Sequence, residues 1–258
     1  MRVTLLGTGS SGGVPFIGCE CEVCQSINPK NKRLRVSIYI EVGDTKILVD
    51  TSPDMREQTL RAGIKRIDAV LFTHDHSDHT HGIDDLRSFN YLADASIPVY
   101  SNTRTTEILK KRFDYAFQPR PEGKIWTRPS VTPHIIPDEP VSQFKVKDVE
   151  ITAFEQGHGK IKSLGFRIGN FAYSTDADYL SEEAFGALKN LDIWVVDCLR
   201  YRPSPTHSHL EHTLEWVARV KPKLAILTHM THDIDYEKLS TELPPNIVPG
   251  YDGMAFEL

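Results

Sequence analysis

Four of the eleven histidines of this chain lie in one short segment, THDHSDHTH, which also holds two aspartates. His74 and His76 can present neutral imidazoles to one cation, while Asp78 and His79 face another way and can serve a second. Two divalent ions held roughly 3.5–4 Å apart can orient a bridging hydroxide and clamp the oxygens of a phosphoryl group. The segment therefore predicts a two-metal centre.

A second cluster, GCECEVC, places three of the four cysteines within six positions. Three roles are open for it: a redox centre, a disulfide framework or part of a metal site. So few cysteines do not make a disulfide scaffold in a chain this large, and CEVC lacks a thioredoxin-like context. A metal site is favoured. Cys198, in the apolar run DIWVVDCL, is predicted to be a buried hydrophobic residue, because no neighbour in sequence would lower its pKa.

These residues must be positioned by elements that alternate along the chain. VTLLGT, SIYIEV, KILVDT and DAVLFT are predicted strands, and a helix is expected over residues 54–62, followed by a helical middle. In the second half, KDVEITAFEQ, LGFRIG, NFAYSTDA, DIWVVDCL and KLAILTH are predicted strands, with SEEAFGALKN and LEHTLEWVARV as helices. Two sheets with helices outside is the simplest packing. Most of the remaining histidines follow a predicted strand, where open α/β sheets gather ligand-binding side chains.

Composition limits the class of protein. The 258 residues, 40% hydrophobic and 25% charged, are expected to form a single domain over 1–258. No apolar run is long enough to span a bilayer and the first residues lack a signal-peptide pattern, so we expect a cytoplasmic protein without a membrane partner. A net charge of −5 argues against binding long nucleic acids, although the stretch KKRFDYAFQPRPEGK could meet a phosphate if it is not simply a solvated helix end.

The HxHxDH pattern resembles that of the metallo-β-lactamase superfamily, and the resemblance extends along nearly the whole chain. It implies an α/β fold, the four-layer αββα sandwich. In that family, one lone downstream histidine completes the first metal site, an aspartate bridges both ions, and a final histidine completes the second. HGKIKSLGF, YSTDAD and LAILTH supply these residues in order as His158, Asp176 and His229.

The implied ligand set is thus His74, His76 and His158 for one ion, Asp78, His79 and His229 for the other, and Asp176 between them. Asp178 is the alternative bridge if the loop is aligned two residues later. Asp50, in ILVDTSPD, matches the family's strand-end aspartate that supports ligating histidines. A helix or turn cap is the alternative role for Asp50.

The N-terminal segments narrow the resemblance to one branch. LGTGSSGGVP is similar to the opening of the phosphodiesterases and tRNA-processing nucleases, and CxCxxC resembles the PhnP-like phosphodiesterases, whose cysteines bind a structural zinc. In that branch the fourth ligand is a histidine three residues after the last catalytic one. The resemblance therefore implies a tetrahedral zinc site that pins the loop at 18–25, made by Cys19, Cys21, Cys24 and His232.

The branch also has a histidine that acts on the leaving group, in a segment resembling HxxLxxxL. THSHLEHTLEW gives His207 when it is aligned on Leu210 and Leu214, and His209 is the competing choice. An imidazolium there could protonate a departing alkoxide, so His207 is assigned a catalytic role together with the ligand Asp78. The remaining histidines have no matching motif and are expected to be solvent-facing or structural; they are His81, His134 and His212.

The resemblance implies a dinuclear phosphodiesterase that hydrolyses small cyclic ribose or nucleotide phosphodiesters by attack of a metal hydroxide. Its cofactors would be two divalent ions, Zn or Mn, and one structural Zn. Its ligand would be a small phosphodiester or nucleotide, and the protein could form a homodimer.

Several alternatives stay open. A PqqB-like oxidative enzyme of quinone-cofactor biosynthesis shares the glycine-rich opening, the clustered cysteines and DTSPDMREQ. A tRNA-processing nuclease shares the branch, but no long insert resembles its tRNA-gripping arm. A thioester or lactam hydrolase would share the ligands without needing the cysteines. A non-catalytic nucleotide-binding module would not need an activated hydroxide.

Overall fold

A computed structural model describes residues 1–120 and 126–258. Its centre consists of β-strands that follow the short apolar runs of the sequence. In chain order these strands are β1 Arg2–Gly7, β2 Ser37–Val42, β3 Thr45–Val49, β4 Ala69–Leu71, β5 Ile97–Ser101, β6 Val131–Ile135, β7 Val141–Val146, β8 Val149–His158, β9 Ile161–Ile168, β10 Phe171–Ser174, β11 Tyr179–Leu180, β12 Ile193–Asp197, β13 Leu224–Thr228, β14 Ile247–Pro249 and β15 Ala255–Glu257.

The strands form two mixed sheets. The first has the order β15-β1-β2-β3-β4-β5-β6, so the last strand of the chain pairs antiparallel with the first. The second has the order β11-β8-β9-β10-β12-β13-β14, with β7 paired to β8. In each sheet antiparallel hairpins lead into parallel strands joined through helices, namely β3-β4-β5-β6 in the first and β10-β12-β13-β14 in the second.

The α-helices lie between the strands, and those longer than four residues cover the outer faces of the sheets. They are α1 Glu22–Gln25, α2 Met55–Arg61, α3 Ser77–Thr80, α4 Leu86–Ala93, α5 Thr103–Arg112, α6 Glu182–Ala187, α7 Leu210–Val220 and α8 Tyr236–Glu242. Within residues 1–120 and 126–258, none of them is long and apolar enough to cross a membrane.

Three hydrophobic clusters define the layers. The central cluster joins the inner faces of both sheets, with Val3 and Ile38 from the first packed with Phe166 and Ile226 from the second. A second cluster packs α2, α4 and α5 against the first sheet. A third packs α6, α7 and α8 against the second sheet. The predicted four-layer αββα sandwich is therefore confirmed.

Most predicted elements agree with the structure, and two match residue for residue. SIYIEV is β2 and LEHTLEWVARV is α7. The prediction of a helical middle is wrong in part, because β5 and β6 extend the first sheet there. Each of these strands contains a proline, Pro98 or Pro133, which cannot donate a ladder hydrogen bond and weakens a strand signal in sequence.

The basic stretch that was considered for phosphate contact begins in the last turn of α5, with Lys110, Lys111 and Arg112. Cations in a last turn complement the negative end of the helix dipole, as expected of a helix end. A short 3₁₀ helix, Asp114–Phe117, follows. Residues 121–124 of the stretch lie outside the described residues.

Candidate functional site

The active-site ligands implied by the sequence meet where strands of both sheets end. His74 and His76 follow β4, and His158 is the last residue of β8. Asp176 and His229 follow β10 and β13. The short helix α3 carries Asp78 and His79. The strand ends and α3 thus bring together seven side chains from segments that are far apart in sequence, and these form two adjoining groups.

The first group consists of His74, His76, His158 and Asp176. His76 Nδ1 lies 3.2 Å from His158 Nε2. Asp176 Oδ1 lies 3.8 Å from His74 Nε2 and 3.7 Å from His158 Nε2. Nitrogen ligands about 2.0–2.1 Å from a tetrahedral ion are themselves about 3.4 Å apart, so this spacing suits one divalent ion.

The second group consists of Asp78, His79, His229 and the same Asp176. Asp176 Oδ2 lies 3.2 Å from His79 Nε2 and 3.4 Å from His229 Nε2. Asp78 Oδ2 lies 3.4 and 3.8 Å from the same two nitrogens. The two oxygens of Asp176 therefore face different groups, which is the arrangement of a bridging carboxylate.

The polar atoms of the site fit metal ions on their own chemistry. The Nε2 atoms of His74, His79 and His229 are buried and have no hydrogen-bond partner among the described residues. Buried polar atoms are rarely left unpaired in a folded protein, because desolvation then costs about 1–3 kcal/mol each. A cation at each group would satisfy all three nitrogens.

Hydrogen bonds on the far side of the rings fix which nitrogen is free. His79 Nδ1 donates to Asp50 Oδ2 at 2.7 Å, and His158 Nδ1 donates to the Thr206 carbonyl at 2.6 Å. Because Nδ1 carries the proton in each ring, the Nε2 lone pair is left for a metal.

Asp50 is the centre of this supporting network. Its carboxylate is fully buried and also accepts hydrogen bonds from the Thr73 amide and hydroxyl, both at 2.8 Å. The Thr73 oxygen lies 3.0 Å from His74 Nδ1 and accepts its proton, since the hydroxyl proton is directed to Asp50. One carboxylate therefore orients a histidine in each group, either directly or through Thr73.

Three site residues adopt the left-handed backbone region. The φ angles of Asp50, Asp176 and His229 are +63°, +54° and +61°, and each residue directly follows a strand or lies close behind one. Residues other than glycine seldom adopt this conformation, which costs of order 1–3 kcal/mol when the surroundings impose it. The fold thus turns the chain sharply at three of the residues that build the centre.

The charge balance of the centre favours cations. Burial alone would lower the pKa of His79, but the carboxylates of Asp176, Asp78 and Asp50 raise it well above its ordinary value. Burial would likewise raise the pKa of Asp176, but His229 and His79 hold it well below its usual range. An environment that holds a proton on a buried imidazole also stabilises a metal ion in the proton's place.

A further ion pair fixes the histidine-rich segment from outside. The buried Asp75 carboxylate lies 3.2 Å from Arg104 Nε and 3.7 Å from Arg112 Nη2, both from α5. Arg112 also donates to the Asp75 carbonyl. The residue between the first two ligands is therefore anchored to a helix of the outer layer.

A cleft of about 790 Å³ opens over the two groups, and His207 lines it. His207 Nδ1 donates to Asp197 Oδ2 at 3.1 Å, and its ring stacks on that of His229 with centroids 4.7 Å apart. Burial lowers the pKa of His207, but Asp197 outweighs this effect and raises it to about 9. His207 and Asp197 thus have the arrangement of an imidazolium proton donor that is held in place by a carboxylate.

Sequence reasoning missed Asp197. The residue ends the buried strand β12, has no exposed surface and also accepts a hydrogen bond from the Ala177 amide at 3.0 Å. Asp197 follows an apolar run in DIWVVDCL, as Asp50 does in ILVDTSPD, so the sequence carried a signal that could have found it.

The competing candidates lie elsewhere. His209 precedes α7, with its ring 5.9 Å from that of His212, and neither lines the cleft. Asp178 accepts a hydrogen bond from the Gly159 amide at 2.9 Å and belongs to neither ligand group. His81 and His134 are exposed and pack against aromatic rings.

The cysteine cluster meets His232 at a separate place. Cys19 Sγ and Cys21 Sγ lie 3.4 and 3.3 Å from His232 Nδ1, and the four ligand atoms, Cys24 Sγ included, are within 4.8 Å of one another. Tetrahedral zinc with bonds of about 2.3 Å to sulfur and 2.0–2.1 Å to nitrogen places such atoms about 3.5 Å apart. Among the described residues, the set suits a closed Cys₃His zinc site that joins the loop at 18–25 to the segment after β13.

The fourth cysteine has no part in either centre. Cys198 is fully buried, and burial raises its pKa far above the ordinary value. It packs in the cluster beneath α6 and α7 as a small hydrophobic residue, in agreement with the prediction.

Comparisons with known proteins agree with this geometry. A model of the β-lactamase superfamily domain matches residues 45–230. The crystal structure of a new diphosphatase from the PhnP family superposes with a TM-score of 0.91 at 35% identity, covering 100% of this chain and 97% of that one. The Zn²⁺-bound PqqB of Methylobacterium extorquens shares the fold, with a TM-score of 0.76 at 18% identity and full coverage of both chains.

Among curated proteins, an octanoyltransferase of Porphyromonas gingivalis is 36% identical over 98% of this chain. The chain spans only 51% of the length of that relative. The family match, the PhnP-family structure and the two ligand groups lead to one conclusion. The chain belongs to the metallo-β-lactamase superfamily, in its PhnP-like branch.

Proposed function

We propose that this protein hydrolyses small phosphodiesters, in particular cyclic ribose or nucleotide phosphates, at a dinuclear metal centre. The observation that carries the proposal is the carboxylate of Asp176, whose oxygens lie within 3.2–3.8 Å of histidines in two separate groups. Two divalent ions, when bound, supply an activated water and neutralise the charge on the phosphoryl oxygens. Nitrogen and oxygen ligands suit Zn²⁺ or Mn²⁺ there, and the Cys₃His set suits Zn²⁺.

The residues of the chain supply the other half of the reaction. His207 lines the cleft, and its Nδ1 is held by Asp197, so Nε2 is the nitrogen that can exchange a proton with a bound ligand. Asp197 stabilises positive charge on the ring, which favours donation of a proton to the departing oxygen. An alkoxide leaving group needs that proton, whereas hydrolysis of an activated ester does not.

The known relatives support phosphoryl chemistry more than the alternatives. The PhnP-family relative that covers the whole chain is described as a diphosphatase. The octanoyltransferase is about twice as long as this chain, so its name describes a larger polypeptide. An acyl-carrying thiol is also disfavoured here, because Cys198 is fully buried and the other cysteines surround His232.

The remaining alternatives require different co-substrates or substrates. A PqqB-like oxidative enzyme would need an oxidant, and a tRNA-processing nuclease would need a long RNA. At 18% identity, the similarity to PqqB shows a shared fold and carries no argument for a shared activity. We therefore place the phosphodiesterase first, with a small phosphodiester or nucleotide as its ligand.

Replacement of His207 by alanine tests this proposal and its mechanism together. We expect the rate on a diester with an alkyl leaving group to fall by about 10²–10⁴-fold, because that group depends on protonation. The rate on a nitrophenyl diester should fall by less than about tenfold. The matched control is His209→Ala, which should leave both rates near those of the unaltered enzyme because His209 does not line the cleft.

The measurement is kcat for both substrates, preceded by a panel of a phosphodiester, a phosphomonoester, a thioester and a lactam. Preferential hydrolysis of the phosphodiester supports the proposal, and preference for the thioester or lactam contradicts it. Equal losses on the two diesters in His207→Ala would assign the residue to binding or structure.

A further inference from the structure

The far side of the His229 ring differs from that of the other buried ligand histidines. In His74, His79 and His158, the nitrogen that faces away from the metal groups has a hydrogen-bond partner. In His229 that nitrogen, Nδ1, is buried and has no partner among the described residues. Ligating histidines almost always donate this second N–H to an acceptor, so His229 lacks a contact that a metal ligand needs.

An unused acceptor lies close to this nitrogen. Asp197 Oδ1 is also buried and without a hydrogen-bond partner in the part of the chain that the structure describes, and it lies 3.8 Å from His229 Nδ1. The other oxygen, Oδ2, accepts from His207 Nδ1 and from the Ala177 amide. An N–H···O hydrogen bond joins atoms about 2.9 Å apart, so a shift of about 1 Å would pair Oδ1 with His229.

The two histidine rings are placed so that one carboxylate can serve both. The rings of His207 and His229 stack with an interplanar angle of 14°. Each ring presents its Nδ1 to a different oxygen of Asp197. Asp197 ends β12 and pairs in register with Thr228 of β13, the residue directly before His229. The backbone of two paired strands therefore fixes the carboxylate beside the ligand.

We propose that Asp197 positions the metal ligand His229 as well as the proton donor His207, with His229 Nδ1 donating to Asp197 Oδ1 when an ion is bound. Asp197 is then a positioning residue that links one ion of the centre, the one beside Asp78 and His79, to the group that protonates the departing oxygen. The inference rests on the dinuclear centre of the proposed function and adds a supporting residue to it.

Asparagine in place of Asp197 breaks this link selectively. Because the Ala177 amide donates to Oδ2 at 3.0 Å, the remaining oxygen should stay on that side, where it can still accept from His207. The amino group then faces His229 Nδ1, and two donors cannot pair. We expect one of the two exchangeable ions to bind about 10–100-fold more weakly in Asp197→Asn, and the other to change by less than about twofold. The measurement is competition for Zn²⁺ with a chelator, followed by elemental analysis.

Two control variants separate this role from its alternatives. His207→Ala removes the proton donor and should leave the affinity for both exchangeable ions within about twofold of that of the unaltered protein, because its ring is not a ligand. Thr228→Val removes a neighbouring buried hydroxyl, which also has no partner among the described residues, and should likewise leave both affinities unchanged. Weaker binding in Thr228→Val with normal binding in Asp197→Asn would assign the hydroxyl as the partner of His229 and overturn the inference.

A second measurement covers the case in which Asp197→Asn does not fold. In the unaltered, zinc-loaded protein, the Nδ1–H of His229 should give a nuclear magnetic resonance signal that is protected from exchange, is lost in His229→Ala and persists in Thr228→Val. Absence of that signal, or unchanged affinity for both ions in a folded Asp197→Asn, would overturn the inference alone. Fewer than two exchangeable ions in the unaltered protein would overturn the dinuclear centre of the proposed function, and this inference with it.

Discussion

Asparagine in place of Asp176 is expected to lower kcat by at least about 10³-fold. Asparagine keeps the shape of the side chain but replaces one oxygen by an amino group, which cannot bind a metal. The Thr175 hydroxyl donates to Asp176 Oδ2 at 2.7 Å, so the remaining oxygen should stay on that side. The amino group would then face Oδ1's neighbours, His74 and His158.

This orientation predicts which ion is lost. Elemental analysis of Asp176→Asn should show weaker binding at the group of His74, His76 and His158, with the ion beside His79 and His229 retained. The matched control is Asp178→Asn, in which the amide oxygen can still accept the Gly159 hydrogen bond and activity should be nearly unchanged. Comparable losses in the two variants, or a larger loss in Asp178→Asn, would contradict the assignment of Asp176 as the bridge.

The second large effect separates two histidines that are three positions apart. His232→Ala should lose a tightly held zinc and lower the melting temperature by roughly 5–15 °C. This assumes that the zinc, by pinning the loop at 18–25, contributes about 2–4 kcal/mol to the free energy of unfolding, as covalent cross-links do. Cys21→Ser should behave in the same way, because it removes a ligand of the same ion. His229→Ala should instead abolish turnover and keep the tight zinc.

The segment between these histidines explains why activity should also fall in His232→Ala. Met230 donates to the Thr8 carbonyl at 2.9 Å and accepts from the Ser10 amide at 3.3 Å, so the glycine-rich opening is bound to the strand end that carries His229. Loss of the zinc should therefore loosen both the glycine-rich opening and the strand end that carries His229. Metal content and melting temperature of the three variants decide the matter. If His232→Ala keeps the tight zinc while Cys21→Ser loses it, the fourth ligand is another residue.

The residues of the centre were predictable because few roles besides metal binding require these residue types at this spacing. HxHxDH and CxCxxC each place several ligating side chains within a few residues of chain, and a strand end fixes where they meet. The apolar patterns of β2 and α7 were equally plain. β5 and β6 were missed because each contains a proline, which weakens a strand signal, and the local sequence does not show that these segments pair with β4 and with each other.

Features that depend on tertiary contacts could not be predicted in this way. The left-handed backbone at His229 is imposed by surroundings that come from distant segments. The pairing of Asp75 with Arg104 and of Asp197 with His207 joins residues whose proximity only the folded chain creates. The resemblance to a family identified His207, but the carboxylate that holds its ring became visible only in the structure.

Metal titration tests the dinuclear centre most directly. Mild chelation should remove two ions per chain and leave one, because the Cys₃His set is closed whereas the two histidine groups open to the cleft. Hydrolysis of a phosphodiester should then return as Zn²⁺ or Mn²⁺ is added, and reach its plateau only when two ions per chain have been taken up. Full activity at one added ion, or activity in the chelated protein, would contradict a two-metal phosphodiesterase.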